Sequence, residues 1–300
     1  MNSPIAPLLE NIKAAPYKVA PEREAELREI NERHKFIIYP IKEDKFTFEV
    51  GSLTKRIVVG IPTLERIWAY LYGHLYITYL LQDTNGGDVI DLNLTKETRE
   101  VSTLLSWATS ADVASQYSSW PQNVPTPSSD PQDINIKAAN ELFLMAIGWM
   151  ILHEIAHIEL NQKPPSCDNE SIQQEQEADN WASAWIMEKW EEFNPSERVF
   201  IKRTLGITFA ISIASAFELH TERTSKTHPN IIDRYLNFLD KYVPEEDSEK
   251  AHKKEIAWLA AIASLNTHIS NSYSRSFNLK GKYQNFREHL LDIKQNLVQQ

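Results

Sequence analysis

From residue 136 onward, apolar side chains recur at helical spacing almost to the end of the chain. The period predicts helices over 136–161, 171–190, 196–222, 230–242, 248–271 and 283–298. Ser171 and Gln174 have capping-box spacing at the start of the second, and Asn194-Pro195 marks the start of the third. The N-terminal part reads differently. Residues 36–39, 46–50 and 56–61 are short β-branched and aromatic runs separated by turn-like segments, which predicts a small antiparallel sheet. Residues 21–34 read as an exposed, charged helix. Pro62 can open a helix that runs to 81, and another covers 96–115. Residues 117–133, YSSWPQNVPTPSSDPQD, hold four prolines and five serines and threonines. They predict an irregular loop, and one this long could be a lid over a cleft. The pattern predicts an α+β, mostly α, fold: an N-terminal α/β region over 1–116, the loop over 117–133, and a helical region over 134–300.

Composition narrows the picture. The chain has 300 residues, 42% hydrophobic and 24% charged, which is enough apolar material for a sizeable core. The formal charge of −10 offers no basic face for phosphates, so no nucleic-acid partner is expected. Cys167 is the single cysteine, which excludes an intrachain disulfide and fits a reducing, cytoplasmic setting. The first eighteen residues lack the basic start and unbroken apolar core of a secretory signal. The most apolar helical stretch is read at 206–217. It falls short of the roughly 20 residues a bilayer requires, so no membrane span is expected.

The sharpest chemical feature is LHEIAHIEL, residues 152–160. His153 and His157 lie four apart, so a helix projects both imidazoles from one face, one turn apart. Two neutral imidazoles at that spacing can hold one zinc ion, and Glu154 on the adjacent strip can serve as general base. The helix around them is apolar nearly all round, which places it inside the protein. Polar groups there need partners, and a metal supplies them.

Seventeen residues after His157 the chain reads QEQEADNWA. Glu175 and Asp179 share a helix face with the small residues Ala178 and Ala182, so this face can pack closely on the histidine helix. One carboxylate can bind zinc while the other orients a ligand histidine through its free ring nitrogen. Glu177 points about 200° away from Glu175. Its own face carries Asn180, Trp181 and Ala184, a bulkier approach, so of the two glutamates Glu175 is the one expected to face the metal.

HExxH followed by ExEADxWA resembles the gluzincin peptidases, in which HExxH pairs with an ExxxD/N helix. THPNIIDR, residues 227–234, resembles the HP-x4-R segment that follows the zinc helices in CAAX-prenyl-protease and HtpX-type enzymes. Chain length, a central HExxH and a helical C-terminal half look most like the Lit-type phage-exclusion peptidases of bacteria. Glu159 departs from the hydrophobic residue often found two past the second histidine. The resemblance covers about a third of the chain. It implies a zinc endopeptidase with Zn2+ on His153, His157 and Glu175, with Asp179 as the carboxylate behind a ligand histidine and Glu154 as catalytic base. It adds His228 and Arg234 as candidates for stabilising an oxyanion or bracing the site. It further implies a protein or peptide substrate, a translation factor among them, and an activating phage or cellular peptide. Two other readings compete: an ImmA-like regulatory peptidase acting on a repressor, and a non-enzymatic helical interaction scaffold.

Overall fold

The computed structural model describes residues 3–41, 47–51, 54–83, 95–110, 119–218, 228–243, 255–273 and 286–298. Among these, two helices precede the sheet, α1 (Leu9–Lys18) and α2 (Glu24–His34). The strands are β1 (Ile37–Ile41), β2 (Phe48–Gly51) and β3 (Arg56–Gly60). They are followed by α3 (Ile61–Asp83), α4 (Lys96–Ala108), α5 (Ile134–Glu159), α6 (Asp168–Met187) and α7 (Trp190–Phe193). The C-terminal helices are α8 (Glu197–Glu218), α9 (Ile231–Tyr242), α10 (Glu255–Tyr273) and α11 (Phe286–Val298). The expected mostly helical α+β architecture is the observed one.

The sheet corrects one expectation. Its order is β1-β3-β2, with β2 antiparallel to β3 but β1 parallel to it. It is mixed, because β1 pairs across the hairpin partner rather than with its chain neighbour. β2 forms one edge of this sheet and lies against α5.

Helix starts follow local chemistry. Asp133 caps α5 by accepting from the Asn135 N–H at 2.7 Å, and Asn230 caps α9 by accepting from Ile232 N–H at 2.9 Å. Thr95 and Thr98 form a reciprocal capping box on α4. The box expected at Ser171 does not form, because α6 starts three residues earlier, at Asp168. There the Glu170 carboxylate reaches back to accept from the Ser166 N–H at 2.7 Å and its hydroxyl at 2.6 Å.

α5 is the central element. It packs against α1, α3, α6 and α8 at once, which explains why it is apolar on nearly every face. By length and composition it could cross a membrane, yet 78% of its most apolar window is buried inside the fold. It is therefore α5, rather than 206–217 within α8, that most resembles a membrane span among the described residues. The three most deeply buried indoles find acceptors. Trp68 donates to Asn140 Oδ1 at 2.8 Å, Trp149 to Ser183 Oγ at 3.0 Å, and Trp258 to the Val243 carbonyl at 2.8 Å.

At Gly148 the backbones of α1 and α5 approach closely. A Cβ there would stand 2.3 Å from Val19 Cγ1 and 3.3 Å from the Ala15 carbonyl oxygen. Gly148→Ala should destabilise the fold by about 1–3 kcal/mol through overpacking, in spite of alanine's better helix propensity. Denaturant melts check this; an unchanged or raised midpoint would contradict the close approach.

Residues 119–133 of the Pro/Ser/Thr-rich loop are irregular, as expected, and pack against the start of α5, while residues 117 and 118 lie outside the described residues. Trp120 packs between Trp68, at 5.9 Å, and Trp107, at 5.1 Å. The Ser128 carbonyl accepts from Asn140 Nδ2 at 2.7 Å. Asn140 precedes His153 by thirteen residues, or about 20 Å along the helix. The loop braces the start of α5, far from its histidines.

Candidate metal centre

The C-terminal end of α5 and the middle of α6 pack side by side, and the pairing brings His153, His157 and Glu175 together. His153 Nε2 lies 3.1 Å from His157 Nε2 and 3.1 Å from Glu175 Oε2. His157 Nε2 lies 3.7 Å from Glu175 Oε1. Two spacings make this possible. His153 and His157 share a helix face, while Ala178 and Ala182, both fully buried, let α6 approach that face. Glu177 points elsewhere: its carboxylate accepts from Gln162 Nε2 at 3.0 Å and Gln173 Nε2 at 2.8 Å.

Behind the three donors stands a second layer. Asp179 Oδ1 lies 2.9 Å from His153 Nδ1. Arg234, on α9, grips the same carboxylate with Nε at 2.7 Å and Nη2 at 2.8 Å, and its side chain is only 3% exposed. Trp149 lies alongside His153 with ring centres 5.7 Å apart. His228 stands at the rim, about a third exposed, with Nε2 3.5 Å from Glu175 Oε2. The two candidates taken from THPNIIDR thus occupy different places. His228 is beside the donor cluster, and Arg234 is beneath it with two of its nitrogens on Asp179.

Electrostatics at the site are sharply split. Burial opposes charge on His153, but Asp179 and Glu175 on its two ring nitrogens outweigh it and hold its pKa up at about 10. Burial also opposes the carboxylates. His153 nevertheless holds Glu175 down at about 2, and Arg234, followed by His153, does the same for Asp179. His157 is pushed down, first by burial and then by the charge on His153. The two buried carboxylates thus take their balancing positive charge from His153 and Arg234.

Glu154 sits on the neighbouring strip of α5. Burial pushes its carboxyl up to about 7; His153 and the backbone N–H of Val50 pull it down, while Glu175 and Glu49 add to the rise. Val50 lies on the edge strand β2, so the sheet supplies a backbone donor to this glutamate.

The donor set can be tested against zinc. Tetrahedral ligands about 2.0–2.2 Å from the ion stand about 3.3–3.6 Å from one another. The observed separations of 3.1, 3.1 and 3.7 Å bracket that range. Two imidazole nitrogens and one carboxylate are also donor types that zinc accepts. The residues fit the ion.

Sequence reasoning missed Gln162. Its Oε1 lies 2.5 Å from His157 Nδ1, a contact that no spacing in the sequence signals. It also missed the partner of Glu159, the residue that departs from the family pattern. Glu159 faces α2, where it accepts from Arg33 Nη2 at 2.6 Å and meets His34 Nε2 at 2.7 Å.

The family model described as Peptidase U49 matches residues 57–259, which takes in α5, α6 and α9. The chain is 32% identical over 250 residues to a protein of Escherichia coli (strain K12) named "Cell death peptidase", covering 81% of this chain and 83% of that one. No solved structure matches the chain.

Proposed function

The chain belongs to the peptidase U49 family, and from that premise we propose that it is a zinc-dependent endopeptidase of the gluzincin kind. The observation that carries this reading is the convergence of His153 Nε2, His157 Nε2 and the Glu175 carboxylate within 3.1–3.7 Å, with Glu154 beside them. A zinc ion on these three residues would polarise a scissile carbonyl and acidify the attacking water.

The remaining steps belong to the chain. Glu154, held near neutrality by burial, takes the proton from the attacking water and returns one to the leaving amine. His228, at the exposed rim, donates to the developing oxyanion. Arg234 braces: it holds Asp179, which in turn fixes the His153 ring. The similarity to a cell death peptidase supports a substrate whose cleavage harms the host cell, as in phage exclusion. The protein would act in the cytoplasm, where its exposed Cys167 stays reduced.

Metal analysis of the purified protein, joined to proteome-wide N-terminal labelling of lysates treated with it, tests the proposal. One zinc per chain is expected, with new N-termini that vanish on chelation and return with zinc. A protein that purifies without zinc, or that cuts equally after stripping, would sink it.

Asp179→Ala should weaken zinc binding by about 10–100-fold, the usual scale for losing a carboxylate that orients a ligand histidine. Competition with a chromophoric chelator measures this. An unchanged zinc affinity would show that the contact with His153 does not orient the ring.

A further inference from the structure

We propose that Gln162 is a positioning residue that fixes the ring of His157 with a proton on Nδ1 and a bare Nε2, and that Glu177 holds Gln162 in the orientation this requires. The proposal rests on the zinc reading above only for what the bare nitrogen is for.

The geometry begins with how α5 ends. Asn161 adopts a left-handed conformation, φ 51°, which asparagine tolerates better than most residues. Its N–H bonds the Ile158 carbonyl at 3.1 Å, and the next N–H, that of Gln162, bonds the His157 carbonyl at 3.1 Å. This pair of bonds is a Schellman motif, and it places Gln162 two positions beyond the last helical residue's cap. Its backbone is thereby tied to the backbone of His157, and its side chain returns to the ring of the same residue.

The side-chain amide could in principle face His157 with either end. Its NH2 group settles the choice. Nε2 donates to Glu177 Oε2 at 3.0 Å and to the Gln174 carbonyl at 3.3 Å. An ionised carboxylate and a carbonyl can only accept, so the nitrogen must lie on the α6 side. Oε1 is then the atom 2.5 Å from His157 Nδ1. A carbonyl oxygen cannot donate, so Nδ1 must carry the proton. The neutral ring therefore presents a lone pair at Nε2, the nitrogen 3.1 Å from His153 Nε2.

This gives Glu177 a part distinct from that of Glu175. The two glutamates point from opposite faces of α6: one joins the donor cluster and the other anchors the amide that orients a donor. Gln173 Nε2, donating to Glu177 Oε1 at 2.8 Å, steadies the anchor. The two ligand histidines are thus oriented by different chemistry. His153 has a carboxylate at its outer nitrogen, and His157 has a neutral amide.

Two readouts test this, one of them independent of metal. In long-range proton–nitrogen spectra of the metal-free protein, His157 should carry its proton on Nδ1. In Gln162→Leu the ring should lose that single tautomer. Chelator competition should show zinc bound about 10–100-fold more weakly by Gln162→Leu. The swap Gln162→Glu with Glu177→Gln keeps an acceptor toward His157 and a donor against it, so its affinity should stay within about threefold of the original. Gln162 is only part-buried, and thermal melts of each variant separate orientation from folding. A proton on Nε2 of His157 in the unaltered protein, or zinc affinity unmoved by Gln162→Leu, would overturn the proposal. If no variant and not even the unaltered chain binds zinc, the zinc reading fails alone, and the tautomer spectrum still decides the role of Gln162.

Discussion

Glu154→Gln should leave zinc bound and lower peptide hydrolysis by about 10²–10⁴-fold, the range over which a positioned general base accelerates proton transfer. Glutamine keeps the volume and can still accept from the Val50 N–H, so β2 and α5 should keep their places. What it lacks is a group able to take a proton from water. Burial already holds the glutamate near the pH at which it can both accept and return one. Counting new N-termini in cells expressing each form, beside the zinc content of the purified proteins, separates chemistry from metal loss. Cleavage at an undiminished rate by the zinc-loaded variant would remove Glu154 from the mechanism.

Of the two glutamates in QEQEAD, Glu175→Ala should lose most of the bound zinc and Glu177→Ala should retain it at saturating metal. Removing Glu175 takes away one of three protein donors and the anion that offsets the cation. It also leaves His153 and His157, their Nε2 atoms 3.1 Å apart, as two nitrogens that hold a metal less firmly than a closed triad. Removing Glu177 leaves all three donors in place and frees only the amide of Gln162. Mass spectrometry under native conditions reads zinc stoichiometry directly. The reverse outcome, metal lost with Glu177 and kept without Glu175, would mean that α6 is turned by about half a revolution in solution relative to the structure.

What the sequence discloses about this site is what helical spacing alone can fix. His153 and His157 at four apart, and Glu175 and Asp179 at four apart, each define a face, and small residues at 178 and 182 say that the second face can come close. No spacing discloses Gln162, whose role appears only when α5 ends in a left-handed residue and the chain turns back on its own helix. The Val50 N–H is equally hidden, since every residue but proline carries one. The strands show a similar division. Residues 37–41, 48–51 and 56–60 are recognisable by their side chains, but nothing in runs of four or five residues says that β1 skips its neighbour and pairs in parallel with β3. The segment 117–133 has the composition of a free loop. That Trp120 would lodge between Trp68 and Trp107 is a matter of tertiary packing, which composition does not carry.

The position of α5 bears on how such an enzyme could be kept quiet. The helix that carries both histidines is wrapped by four others, so its amides should exchange with solvent only through openings close in free energy to global unfolding. A segment so protected cannot melt and re-form as a switch. Any control of this peptidase would then leave α5 intact, and hydrogen exchange along α5 should look the same in every functional state of the protein.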